Sequence, residues 1–96
     1  MIDRITKNEE RFDSIIKSVK ELELALNNFK SNKKNLYLLN KYYTSKNWIK
    51  DKDAYENGDI SKVKAGVLSE DGVWNLLDDI DGLLLDMQKV INDYKK

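Results

Sequence analysis

Apolar residues recur along the first third of the chain in steps of three and four. Ile5, Phe12, Ile15, Val19, Leu22, Leu26 and Phe29 keep this rhythm, with Asn8 at its polar interruption and Ile16 widening the stripe. A helix turns once every 3.6 residues, so the spacing gathers these side chains on one face and predicts a helix over about 3–29 that packs lengthwise on another. The last third repeats the rhythm without a break through Val73, Leu77, Ile80, Leu84, Met87, Ile91 and Tyr94. Leu76, Leu83 and Val90 add a third apolar residue to each heptad. That stripe can touch two neighbours, as in a bundle, and predicts a helix over about 70–94. Ser69 ahead of Glu70 and Asp71 suits its start: the hydroxyl can accept from free backbone N–H groups, and the two acids face the positive end of the helix dipole.

Between these helices, Leu36, Leu39, Tyr42 and Tyr43 predict a shorter one over about 33–48. The polar string Ser31-Asn32-Lys33-Lys34-Asn35 either separates it from the first helix or is crossed by one long helix. A short turn is the expectation, because Ser and Asn side chains compete for backbone hydrogen bonds. A loop is expected over about 50–68, with a turn at Asn57-Gly58. The sequence contains no proline, the residue least compatible with a helix interior. A helix over 3–29 would run about 40 Å at 1.5 Å per residue, longer than a compact sphere of this mass is wide. The expected fold is therefore all-α over 1–96 as a single domain: an elongated, bundle-like antiparallel hairpin of two long helices with a short third helix.

Composition narrows the chemistry. The 96 residues are 41% hydrophobic and 35% charged, enough apolar content to fold around a thin core. Absence of cysteine removes disulfides, thiolate metal sites and thiol nucleophiles, and absence of histidine removes the commonest transition-metal ligand and acid–base group. No apolar run approaches the roughly 20 residues of a membrane span, and the polar opening has no apolar run behind it, so no signal peptide is expected. The expected address is cytoplasmic, with export by a signal-less route left open.

Charge changes the picture further. The 17 basic and 17 acidic residues cancel in total but not locally. Residues 1–29 hold five positive and six negative groups, residues 30–64 nine and four, and residues 65–96 three and seven. A basic middle thus precedes an acidic tail. In the middle, Lys30, Lys33, Lys34, Lys41, Lys46, Lys50 and Lys52 are interleaved with Tyr37, Tyr42, Tyr43 and Trp48, a mixture able to contact phosphates and stack on single-stranded bases. There is no arginine among them for bidentate base readout, and Tyr42 and Trp48 suit an apolar plug at the end of a hairpin better. In the tail, Asp78-Asp79-Ile80-Asp81-Gly82 superficially suggests a calcium loop. With Gly82 in the sixth position, Leu77 falls first and Gln88 twelfth, so both ends lack their ligand. Asp71 and Asp78, with Asp79, Asp86 and Asp93 beside them, fit a solvated helix face. No metal ligand, cofactor or catalytic residue is assigned.

Two strings carry a resemblance. Tyr42-Tyr43-Thr44-Ser45-Lys46-Asn47-Trp48-Ile49-Lys50-Asp51 and Val63-Lys64-Ala65-Gly66-Val67-Leu68-Ser69-Glu70-Asp71-Gly72-Val73-Trp74-Asn75-Leu76-Leu77 resemble the YYxSxxWxxD and GVLSED segments of a small uncharacterised bacterial helical family, the domain of unknown function DUF4298. That family often has proline where this chain has Ile60-Ser61. The resemblance implies a helical bacterial domain and carries no catalytic residue with it.

If the hairpin closes, Tyr42, Tyr43, Ser45, Trp48 and Asp51 meet Glu70, Asp71 and Trp74 at one end of the molecule. They form either a structural junction, with Asp51 or Glu70 accepting from tyrosine hydroxyls or backbone N–H groups, or a recognition site anchored by the tryptophans. The function this predicts is a non-enzymatic protein–protein interaction or assembly module, with a protein partner and a homo-oligomer, most simply a dimer, covering the third apolar column of the last helix. The alternatives are single-stranded nucleic-acid binding through the basic, tyrosine-rich middle and an exported hairpin that partners a toxin. Such hairpins carry a Trp-x-Gly bend, which Trp48-Ile49-Lys50 lacks.

Overall fold

The computed structural model of the chain describes residues 1–60 and 63–95. Their regular structure is helical throughout: α1 (Ile2–Ser31), α2 (Lys33–Tyr43), α3 (Lys46–Glu56), one 3₁₀ turn at Gly66–Leu68, and α4 (Glu70–Tyr94). The chain is all-α, as its periodicity predicts. Two compact units divide it, Met1–Leu39 and Asn40–Lys96.

In the first unit, α1 runs for 30 residues and buries none of them. Local pairs support it. Asn8, the polar break in the apolar stripe, donates through Nδ2 to the Arg4 carbonyl at 2.8 Å and accepts from the Arg11 guanidinium at 3.2 Å, so its amide is satisfied along its own helix. The turn expected in the Ser31–Asn35 string contracts to one residue, Asn32. The Ser31 hydroxyl and the Asn32 amide both donate to the Asn28 carbonyl, and the Asn35 amide donates to Asn32 Oδ1. The Ser31 and Asn32 side chains thus occupy the Asn28 carbonyl, an acceptor that an unbroken helix would use, which is the competition that ends α1 and lets α2 restart.

Where one helix was expected over 33–48, followed by a loop from residue 50, there are two helices. The break falls at Thr44 and Ser45. Thr44 donates its hydroxyl to the Asn40 carbonyl at 2.9 Å, and Ser45 turns extended and caps α3 by accepting from the Trp48 N–H. The loop begins only after Glu56. Asn57 and Gly58 close α3 with paired bonds from the Gly58 N–H to the Tyr55 carbonyl and from the Asp59 N–H to the Ala54 carbonyl, and Gly58 takes the left-handed φ of 79° that this cap requires. Ser61, half of the departure from the resembled family's proline, lies outside the described residues.

The second unit holds Val73, 3% exposed and the one buried hydrophobic residue among those described. Ala65, Leu68, Leu77 and Ile80 are half-buried in the same unit, as are Tyr42, Tyr43 and Trp48. The 3₁₀ turn lies against both α3 and α4. Gly72 makes its approach to α4 possible: a Cβ there would stand 2.9 Å from the Gly66 carbonyl oxygen, closer than real side chains come. Gly72, in the first turn of α4, therefore serves a backbone-to-backbone contact with the Gly66 carbonyl. Ser69 caps α4 as anticipated, accepting from the Gly72 N–H at 3.2 Å with Glu70 and Asp71 in the first turn. Asp78 to Gly82 is continuous helix within α4.

Candidate functional site

The α2–α3 break does more than end a helix. Ser45 Oγ donates to the Tyr42 carbonyl at 2.6 Å while accepting from the Trp48 N–H, so one hydroxyl ties the end of α2 to the start of α3. The bend it fixes lets the Tyr42 hydroxyl reach Asp51 Oδ2, one turn into α3, at 2.6 Å. This short bond to a carboxylate, reinforced by burial and by the negative charge itself, holds the Tyr42 phenol above its usual range, because ionising it would place two negative oxygens together.

A second set of bonds fastens α3 to the segment that leads into α4. Trp48 Nε1 donates to the Val67 carbonyl at 2.7 Å, giving the indole's only donor a partner. The Tyr43 ring meets the Trp48 ring edge to face, centroids 5.0 Å apart at 74°, and its hydroxyl donates to the Glu70 carbonyl at 3.3 Å. Lys52, one turn beyond Trp48, places its ammonium 5.7 Å from the centre of the Trp48 ring. The same ammonium pairs with Glu70 Oε1 at 2.7 Å and Glu56 Oε1 at 3.4 Å. The hydrogen bond to Glu70 holds Lys52 above the usual lysine range, and it holds the Glu70 carboxyl below the usual carboxylate range.

Of the eight residues singled out from the sequence, six meet here: Tyr42, Tyr43, Ser45, Trp48, Asp51 and Glu70. Glu70 accepts the tyrosine through its backbone carbonyl and gives its carboxylate to a lysine. Asp71 stays in the first turn of α4, and Trp74 is 58% exposed, outside the clasp. Lys52 went unrecognised because it read as one of a row of basic residues. Its signal was the spacing of four in Trp48, Lys52 and Glu56, which puts all three on one face of α3. The Val67 and Gly66 carbonyls carry no side-chain signal at all.

Chemically, this arrangement is a polar clasp around an aromatic pair. Each donor and acceptor named above is committed to another, and the clasp joins two strings that lie 19 residues apart at Trp48 and Val67. The class so defined is an all-α domain whose described polar site holds its own helices together. A family model described as a domain of unknown function, DUF4298, matches residues 5–95, and the chain belongs to that family. Comparisons with curated proteins and with solved structures return no match. The two strings that carry the family resemblance supply the two sides of the clasp.

Proposed function

We propose that the chain is a non-enzymatic protein-interaction or assembly module. The observation that carries this reading is the exposure of its apolar stripes. Phe12, Ile15, Val19 and Leu22 on α1, and Leu83, Leu84, Met87 and Val90 on α4, are exposed at helical spacing. Apolar stripes sustained over several turns characterise surfaces that bind other proteins, whereas scattered single residues need no such reading. The clasp supports the reading indirectly, since its ionisable groups are engaged with one another. Among the described residues, no helix is long and apolar enough to cross a membrane. A cytoplasmic address belongs to the same proposal.

Affinity purification of the tagged chain from its native cells, with mass spectrometry of what it retains, tests the proposal. Phe12→Glu and Trp74→Ala variants accompany it. Both should keep their helical circular dichroism and lose retained partners; retention of nothing beyond the bait by the unaltered chain would sink the reading.

Single-stranded nucleic-acid binding remains the second reading, favoured by the exposure of Tyr37 beside the lysines of α2. It is the weaker one, because Tyr42, Tyr43 and Trp48 are occupied in the clasp and leave few rings free to stack. Absence of any mobility shift with labelled single strands at low salt removes it.

A further inference from the structure

On the reading of the chain as an interaction module, we infer that the exposed stripe of α4 is a dimer interface, covered by the same stripe of a second copy running antiparallel. The argument rests on which columns flank the seam. Leu77, Ile80, Leu84, Met87, Ile91 and Tyr94 form the seam. Leu76, Leu83 and Val90 flank it on one side, and Trp74, Asp81, Gln88 and Lys95 flank it on the other. Leu83 is 58% exposed, Val90 67% and Tyr94 90%, so the α4 surface beyond Ile80 lacks the cover given to Val73.

Two helices paired in parallel set one flank against the other. That arrangement would face Leu76, Leu83 and Val90 with Asp81, Gln88 and Lys95 of the second copy, apolar against polar along the whole length. An antiparallel pair sets each flank against itself. Centred between Leu85 and Asp86, it stacks Leu84 on Met87, Ile80 on Ile91 and Leu77 on Tyr94 of the second copy, and lays Leu83 beside Val90 of the second copy. On the polar flank, Lys95 of the second copy then falls between Asp81 and the open ring of Trp74, a charge pair and a cation–π contact repeated by symmetry. The orientation also sets each helix dipole against its opposite. The third column, the lysine that follows the helix end and the exposed tryptophan all find complements in one partner, a second α4. The seven acidic groups of α4 against its single lysine oppose the association, so added salt should strengthen it.

The test uses the full chain. Light scattering should give a dimer at micromolar concentration, tighter at about 500 mM than at about 50 mM NaCl. Leu83→Glu should weaken the dimer at least about tenfold, since each copy loses a buried leucine. Because the chain has no cysteine, orientation can be read from single-cysteine variants. A short bismaleimide should link Leu83→Cys to Val90→Cys faster than either variant to itself. Faster linkage of each variant to itself would show a parallel pair and overturn the inference, as would a monomer at about 100 μM in high salt. A monomer that still retains a partner in the affinity experiment sinks the dimer alone; a monomer that retains nothing sinks the interaction reading with it.

Discussion

The clasp and the first helix use similar residues to opposite ends. Within the clasp, a tyrosine hydroxyl, an indole and a lysine are tied to partners 27, 19 and 18 residues further along the chain. Along α1, seven well-spaced apolar residues bury nothing within their own unit, and the polar groups bond only to neighbours three or four positions away. Helices of this kind draw little stability from propensity and local pairs, so tertiary contacts decide how firmly each part holds. The second unit should therefore resist local opening at the clasp, while α1 should exchange its amide protons readily unless something covers its stripe.

The sharpest way to break this contrast is Trp48→Ala. Removing the ring deletes the edge-to-face contact with Tyr43 and strands the Val67 carbonyl, and should cost on the order of 3 kcal/mol in urea unfolding. Phe12→Ala in α1 should cost less than about 1 kcal/mol at concentrations where the chain is alone. Equal losses in the two variants would mean that α1 is as firmly packed as the clasp. Next comes Gly72→Ala. The added methyl meets the Gly66 carbonyl, and the shift it forces should cost about 1–3 kcal/mol, despite the better helix propensity of alanine.

Tyr42→Phe should cost about 1–2 kcal/mol at neutral pH, toward the low end for a hydrogen bond to a charged acceptor because the pair is only half-buried. Its pH dependence follows from the raised phenol. A group whose pKa is higher in the folded state stabilises fully below its unfolded value and loses that contribution as pH rises through the folded one. The native chain should thus lose this increment above about pH 10, and the phenylalanine variant should lack that loss in alkaline melts. The smallest effect belongs to the exposed pair. Lys52→Met should slightly flatten the pH profile at both ends. Glu70 is depressed and gives up its contribution as pH falls through its folded value in the acid range, whereas Lys52 is raised and gives up its contribution as pH rises through its folded value in the alkaline range.

Legibility in the sequence followed the physical source of each feature. The long helices could be read because their apolar residues recur at the period of a helix, and the α4 cap because Ser69 precedes two acids. The identity of the clasp residues could be read because tyrosine, tryptophan and serine crowd into one string. The second break could not. Ser45 sits amid helix-compatible residues, and whether its hydroxyl caps a new helix or merely decorates an old one depends on the bend it helps to make. The helical state of Lys50 to Glu56 was hidden for a related reason: its composition is that of a loop, and α3 is held by a tryptophan bond and a lysine pair rather than by a buried stripe. Backbone acceptors such as the carbonyls of Val67 and Glu70 are blind to side-chain identity, so no pattern of letters announces them.

The two tryptophans sit in contrasting surroundings, and that gives the molecule its own pair of optical reporters. Trp48 is pinned by a carbonyl and lies beneath an ammonium, while Trp74 faces solvent. With one indole replaced by phenylalanine, the fluorescence of the other becomes a single-site signal. The Trp48 emission follows the opening of the clasp, and the Trp74 emission follows whatever comes to rest on the outer face of α4. Local melting and association can then be watched separately in one unlabelled chain.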